Sequence, residues 1–114
     1  MNNCLFCQII KREIPSDIVF ETNLVFAFND INPVAPHHVL IIPKKHISTL
    51  NDIDENDSNI IGKIHLIANK IASDRGIAES GFRTVFNCNK NAGQAVDHIH
   101  LHLIGGRKMN WPPG

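Results

Sequence analysis

The sequence predicts an α+β domain in which one long helix and a short N-terminal helix accompany a mainly antiparallel sheet of about five strands. Three observations predict it. Isoleucines recur at helical spacing in one stretch, and short β-branched and aromatic runs lie between turn residues elsewhere. Residues 98–104 alternate polar and apolar without a break through Leu103. Strand pairs arranged around one long helix give this class.

In chain order, residues 4–11 form the short helix, closed before Pro15. Residues 18–21 and 24–28 are β-rich runs joined by a Thr22-Asn23 turn. Asp30, Asn32, Pro33 and Pro36 give residues 29–36 a loop composition, and residues 37–42 read as a buried strand ended by Pro43. The long helix spans 55–75, where Ile60, Ile61, Ile64, Ile67, Ala68 and Ile71 share one face and Gly76 supplies the C-cap. Residues 83–88 are a strand, 89–93 a polar loop and 98–104 the last strand. Gly105-Gly106 ends that strand before a tail closing in Trp111-Pro112-Pro113-Gly114.

With 114 residues the chain is one domain, 1–114, and 43% hydrophobic residues suffice for a core. A domain this small gains from dimerisation. The formal net charge is zero with the histidines neutral, and no basic stripe exists to hold a polymeric nucleic acid; a small ligand is the expected partner. No apolar run, Val39-Leu40-Ile41-Ile42 included, is long enough to span a bilayer, and Met1-Asn2-Asn3-Cys4 lacks a signal-peptide pattern, so a cytoplasmic location is expected. Three cysteines without an export signal argue against a disulfide framework. The Cys4/Cys7 pair suggests a metal or redox role, and Cys88 reads as a buried apolar residue.

On a strand, His98, His100 and His102 would point one way while Ile99, Leu101 and Leu103 pack behind them. A merely solvated face would favour Thr, Lys or Glu. One metal held by all three rings is disfavoured, because residues i and i+4 lie roughly 13 Å apart at about 3.3 Å per residue, whereas zinc needs each nitrogen within about 2.1 Å. Catalysis remains: one ring as nucleophile, its neighbours managing protons and phosphate charge. Just upstream, Asn87 and the run Asn91-Ala92-Gly93-Gln94-Ala95 offer a glycine for close backbone approach and amides for anionic oxygens.

The His-x-His-x-His pattern at 98–102, followed by Leu103-Ile104, resembles the signature of the histidine-triad (HIT) superfamily. Ile14-Pro15, residues 27–31 and 41–48, Gly93-Gln94, Gly105-Gly106-Arg107 and the Trp-Pro-Pro-Gly ending are similar to its Hint branch. The resemblance implies a HIT-like fold and hydrolysis at the α-phosphate of purine nucleotides such as adenosine 5′-monophosphoramidates. His100 would attack phosphorus, giving a covalent nucleotidyl-histidine that water resolves to the nucleoside monophosphate. His102 and the backbone of Gly93, Gln94 and Ala95, with Asn87 nearby, would hold the phosphate; His98 and His38 would orient His100. Asp30 would accept the ribose hydroxyls, and Phe6, Ile9, Phe28 and Ile31 would sandwich the base. The resemblance further implies a structural zinc on Cys4, Cys7, His46 and His98, with no cofactor required for catalysis, and a homodimer joined through the long helix and a central strand.

Ala95 departs from the Hint pattern, where a serine thought to assist the leaving amine is common. Two other readings stand beside the phosphoramidase: a dinucleoside polyphosphate hydrolase of the Fhit kind, and a nucleotide-binding or scaffold protein with weak catalysis.

Overall fold

A computed structural model describes residues 3–114. Helix α1 (Leu5–Ile10) precedes strands β1 (Ile18–Glu21), β2 (Val25–Asn29) and β3 (His37–Pro43); helix α2 (Ser58–Asp74), strand β4 (Phe82–Phe86), helix α3 (Asn89–Ala92) and strand β5 (Leu101–Gly105) follow. The strands make one sheet ordered β1-β2-β3-β5-β4, antiparallel throughout.

The two-residue period of a strand explains why β2 and β3 are buried on both sides. Val25, Ala27, Val39 and Ile41 face α2, which answers with Ile60, Ile64, Ile67, Ala68 and Ile71. Phe26, Phe28, Leu40 and Ile42 face the other way, against Phe6 and Ile9 of α1. Leu101 and Leu103 of β5 belong to the α2 side, so His102 between them lies on the α1 side. That side carries the site. Leu40 pairs with His102 across β3 and β5, which makes His38, two residues earlier, a diagonal neighbour of His102.

Several elements differ from expectation. The helical stretch is α only from Ser58; residues 55–57 form a 3-10 turn held by an Asp54/Asp57 capping box, and the buried Asp57 carboxylate also takes Lys45 at 2.7 Å. Ile61 is half-buried, whereas Ala72 joins the buried face. Strand β3 continues through Pro43, which pairs with Val25. Residues 89–92 are a short helix rather than a loop, closed by Gly93 at φ +77°. Cys88 is half-buried, not enclosed. The last strand begins only at Leu101. Before it, the Ile99 N–H donates to the Ile47 carbonyl at 2.8 Å, outside the ladder. The alternation nevertheless holds, with Ile99, Leu101 and Leu103 all buried.

Candidate active site

Four donor atoms converge where α1 meets the segment before β5. Cys4 caps α1 and Cys7 lies one turn on, which puts both sulfurs at the same end of the helix. Cys4 Sγ is 3.4 Å and Cys7 Sγ 3.6 Å from His98 Nδ1, Cys7 Sγ is 3.4 Å from His46 Nδ1, and the two Nδ1 atoms are 3.2 Å apart. His98, fully buried, donates Nε2–H to the Pro43 carbonyl at 2.8 Å, so its Nδ1 carries the lone pair. A tetrahedral ion with zinc bond lengths has nitrogen–nitrogen edges of about 3.3 Å and sulfur–nitrogen edges of about 3.6 Å. The donor set and its spacing fit such an ion. Burial raises the Cys4 thiol above its ordinary value; a cation among these donors would reverse that.

His98 also holds the next histidine, through its backbone. His100 donates Nδ1–H to the His98 carbonyl at 2.8 Å, which leaves Nε2 unprotonated. Among the described residues no buried side-chain nitrogen or oxygen lacks a partner, so Nε2, which has none, opens to the pocket that His100 lines. Phe6 meets the His100 ring edge-on at 5.0 Å between centroids and fixes its plane. Burial keeps His100 below the ordinary histidine range, so the ring is neutral at neutral pH.

A second chain of hydrogen bonds sets His102. The Val34 N–H donates to His38 Nδ1 at 3.2 Å, so a neutral His38 carries its proton on Nε2. That proton goes to His102 Nδ1 at 2.9 Å, with Asp30 Oδ2 at 3.4 Å. His102 must then bear its own proton on Nε2, a donor suited to a phosphate oxygen. Asp30, His38 and His102 are close enough for a metal. A metal on His38 Nε2 would break the Val34 bond or demand an imidazolate, so this trio is a proton-ordering relay. Among the described residues no metal-type cluster includes all three triad histidines.

His102 is pushed down to about 4, first by burial and then by His100 and His38, with Asp30 pulling the other way. His38 and His100 are lowered mainly by burial. The sign follows directly: between pH about 6.5 and about 4 the unfolded chain binds the proton and folded His102 does not, so acidification destabilises the fold. Stability should be level above pH 6.5 and, with solvent screening the half-buried His102, lose on the order of 2 kcal/mol by pH 4. Denaturant unfolding at stepped pH checks it.

The pocket, of about 540 Å³, is lined by Phe6, Ile9, Phe28, Ile31, Asp30 and Ala95 along with His38, His100 and His102. Ile31 is 88% exposed and sits at the rim rather than within a sandwich. Asp30 Oδ1 is held by the Asn32 N–H at 2.8 Å, so the carboxylate is oriented before any ligand arrives.

The structure places His98 where it orders His100 through its carbonyl while its ring joins the Cys/His cluster, whereas His38 orders His102 rather than His100. Gly93 and Gln94 have committed their N–H groups to Lys90 and Asn89 carbonyls; the Gln94 amide is also spent, donating to Ser48 and Val96 carbonyls and accepting from the Asn89 N–H. Gln94 is therefore a staple for the loop, and of these three residues Ala95 alone lines the pocket. Asn87 lines a different groove, which Trp111 also lines. The pocket walls also include Ser16, Asp17, Leu40 and Val96, which no motif marks, and the Val34 and Pro43 backbone groups, which no side-chain pattern can mark.

The HIT domain family matches residues 11–109. The chain is 50% identical over 105 residues to the purine nucleoside phosphoramidase of Escherichia coli (strain K12), covering 92% of this chain and 88% of that one. Among solved structures, a HIT family hydrolase from Legionella pneumophila superposes with a TM-score of 0.97 at 55% identity, over 98% of this chain and all of the other. A histidine triad nucleotide-binding protein from Candida albicans gives 0.83 at 35% identity, over 96% of this chain and 83% of its own. A family model matching residues 11–109 and a 50% identical relative covered to 88% show the family: the chain belongs to the HIT domain family.

Proposed function

We propose that this HIT-family hydrolase cleaves the P–N bond of purine nucleoside 5′-phosphoramidates through a nucleotidyl-His100 intermediate. The observation that carries the reading is the free Nε2 of His100, kept unprotonated because Nδ1 is committed to the His98 carbonyl. Nε2 attacks the α-phosphorus as the P–N bond breaks and the amine departs with a proton. Water then attacks the same phosphorus, the Nε2–P bond breaks, and the nucleoside monophosphate leaves. His102 Nε2–H donates to a non-bridging oxygen, Asp30 accepts the ribose hydroxyls, and Phe6, Ile9 and Phe28 contact the base. Ala95 brings no hydroxyl to the departing nitrogen, so its proton comes from solvent. The Cys4, Cys7, His46 and His98 cluster would hold a structural zinc, outside the reaction.

Charge argues against a polyphosphate substrate. Among the described residues the pocket walls carry Asp17 and Asp30 and no Lys or Arg, a poor place for several phosphates. With adenosine 5′-phosphoramidate and a diadenosine polyphosphate competing in one reaction, the first should be consumed preferentially. Preferential consumption of the second would overturn the assignment.

The reading includes a homodimer. β3, the central strand, has both edges paired, which leaves the edge strands β1 and β4; β4, whose Phe82 and Phe86 are half-buried, is the one assigned to the interface beside α2. A sedimentation mass of one chain at micromolar protein would contradict it.

A further inference from the structure

Past Ala95 the nucleotide pocket opens into a second concavity of about 790 Å³. The two share Leu5, Ala95 and Val96 as a common wall, so a molecule with its phosphorus at His100 can continue across Ala95 without leaving the surface. The loop between them is fixed in place, because the Gln94 amide donates to the Ser48 carbonyl at 2.7 Å. Cys4 and His46 also line the groove, but their donor atoms belong to the Cys/His cluster. The Ser48 hydroxyl, 3.2 Å from His46 Nε2, the exposed Asn3 amide and Asp97 remain. Asp97 is exposed and, among the described residues, makes no ion pair or side-chain hydrogen bond. No Lys or Arg lines this groove among the described residues.

The other exit is chemically different. It shares only Val34 with the nucleotide pocket, and its arginines are already committed: Arg83 donates to the Asn110 carbonyl, and Arg107 to the Val34 and Lys108 carbonyls.

We infer that the groove behind Ala95 is the leaving-group subsite, and that Asp97 selects amines bearing a second, cationic group. This rests on the phosphoramidase reading and deepens it. The departing amine itself lies over Ala95. An extension of a few atoms from it reaches the groove, where the Asp97 carboxylate favours an ammonium, tolerates a hydroxyl and repels a carboxylate. With Nδ1 turned to the Cys/His cluster, His46 donates Nε2–H to Ser48 Oγ, which leaves the Ser48 O–H to donate to the extension.

The test uses three adenosine 5′-phosphoramidates whose N-alkyl chains have equal length and end in an ammonium, a hydroxyl or a carboxylate. In the wild type, kcat/KM should rank ammonium over hydroxyl over carboxylate, with about threefold to tenfold between the extremes at low salt and less at high salt. Asp97→Asn should bring the ratios towards one, and Asp97→Lys should invert them. An unchanged ranking in both variants, or no ranking in the wild type, overturns the proposal. If none of the three is hydrolysed, the phosphoramidase reading fails instead. Equilibrium dissociation constants of the same compounds for the wild type and both variants then decide the groove by the same criterion.

Discussion

Replacing His100 with alanine is expected to lower kcat/KM for an adenosine 5′-phosphoramidate by about 10⁴-fold or more, with nucleoside monophosphate still bound. The size follows from the wiring of the site. His102 is locked in the tautomer that places a proton, not a lone pair, toward the phosphate; His38 has spent Nε2–H on His102 and Nδ1 on the Val34 N–H, and His98 has turned its ring to the Cys/His cluster. None of them can take over the attack. The His100 ring is buried against Phe6, so its removal also leaves a void, with a stability cost on the order of 1–2 kcal/mol. His100→Gln fills most of that space without a basic nitrogen. It should unfold close to the wild-type temperature and be as inactive as the alanine variant. Activity in either variant near the wild-type level would place the nucleophile elsewhere.

The second large effect concerns the Cys/His cluster. Cys7→Ser, or removal of metal by a chelator, is expected to lower Tm by on the order of 10 °C or more, corresponding to about 3 kcal/mol in a chain of this size. Two sulfurs and two ring nitrogens within 4.8 Å of one another present converging lone pairs that a cation would satisfy together. Without it α1 loses its tie to the segment before β5, and Phe6 and Ile9 pack on the sheet from α1 alone. Turnover should fall as well, because the His98 backbone that fixes the His100 tautomer is anchored by the same ring. Elemental analysis and thermal unfolding read the two halves separately. Metal-free protein with an unchanged Tm would contradict the structural role.

How much of this was readable in advance depends on whether side chains or backbone groups carry the information. The isoleucine period gave α2 because burial on one face is written into side-chain spacing, and the runs before Pro43 gave β2 and β3 for the same reason. The alternation at 98–104 correctly separated the core residues from the histidines even though the ladder begins only at Leu101. Its limit was the ring-by-ring assignment. His98 and His100 differ in role because one accepts through its carbonyl and the other donates to it, a distinction no residue type encodes. The same holds for the Val34 N–H and the Pro43 carbonyl. Gln94 illustrates the opposite case: an amide in a polar run suggests an anion ligand, but here it satisfies its own loop. The four residues of α3 are too few to leave a periodic trace. Asp97 adjoins the histidine motif and belongs to no pattern at all, which is why its groove emerges only from the fold.

The central claim is that the His100 ring carries the nucleotide during turnover. The most direct measurement is to quench the protein in alkali early in a reaction with an adenosine 5′-phosphoramidate, digest it and locate any added nucleotidyl group by mass spectrometry. Phosphorus bound to an imidazole nitrogen survives alkali and is lost in acid, so the quench preserves the species expected. The account predicts one acid-labile adenylyl group on the peptide containing His100, absent from His100→Gln. An adduct on another residue, or one that persists in His100→Gln, would contradict it.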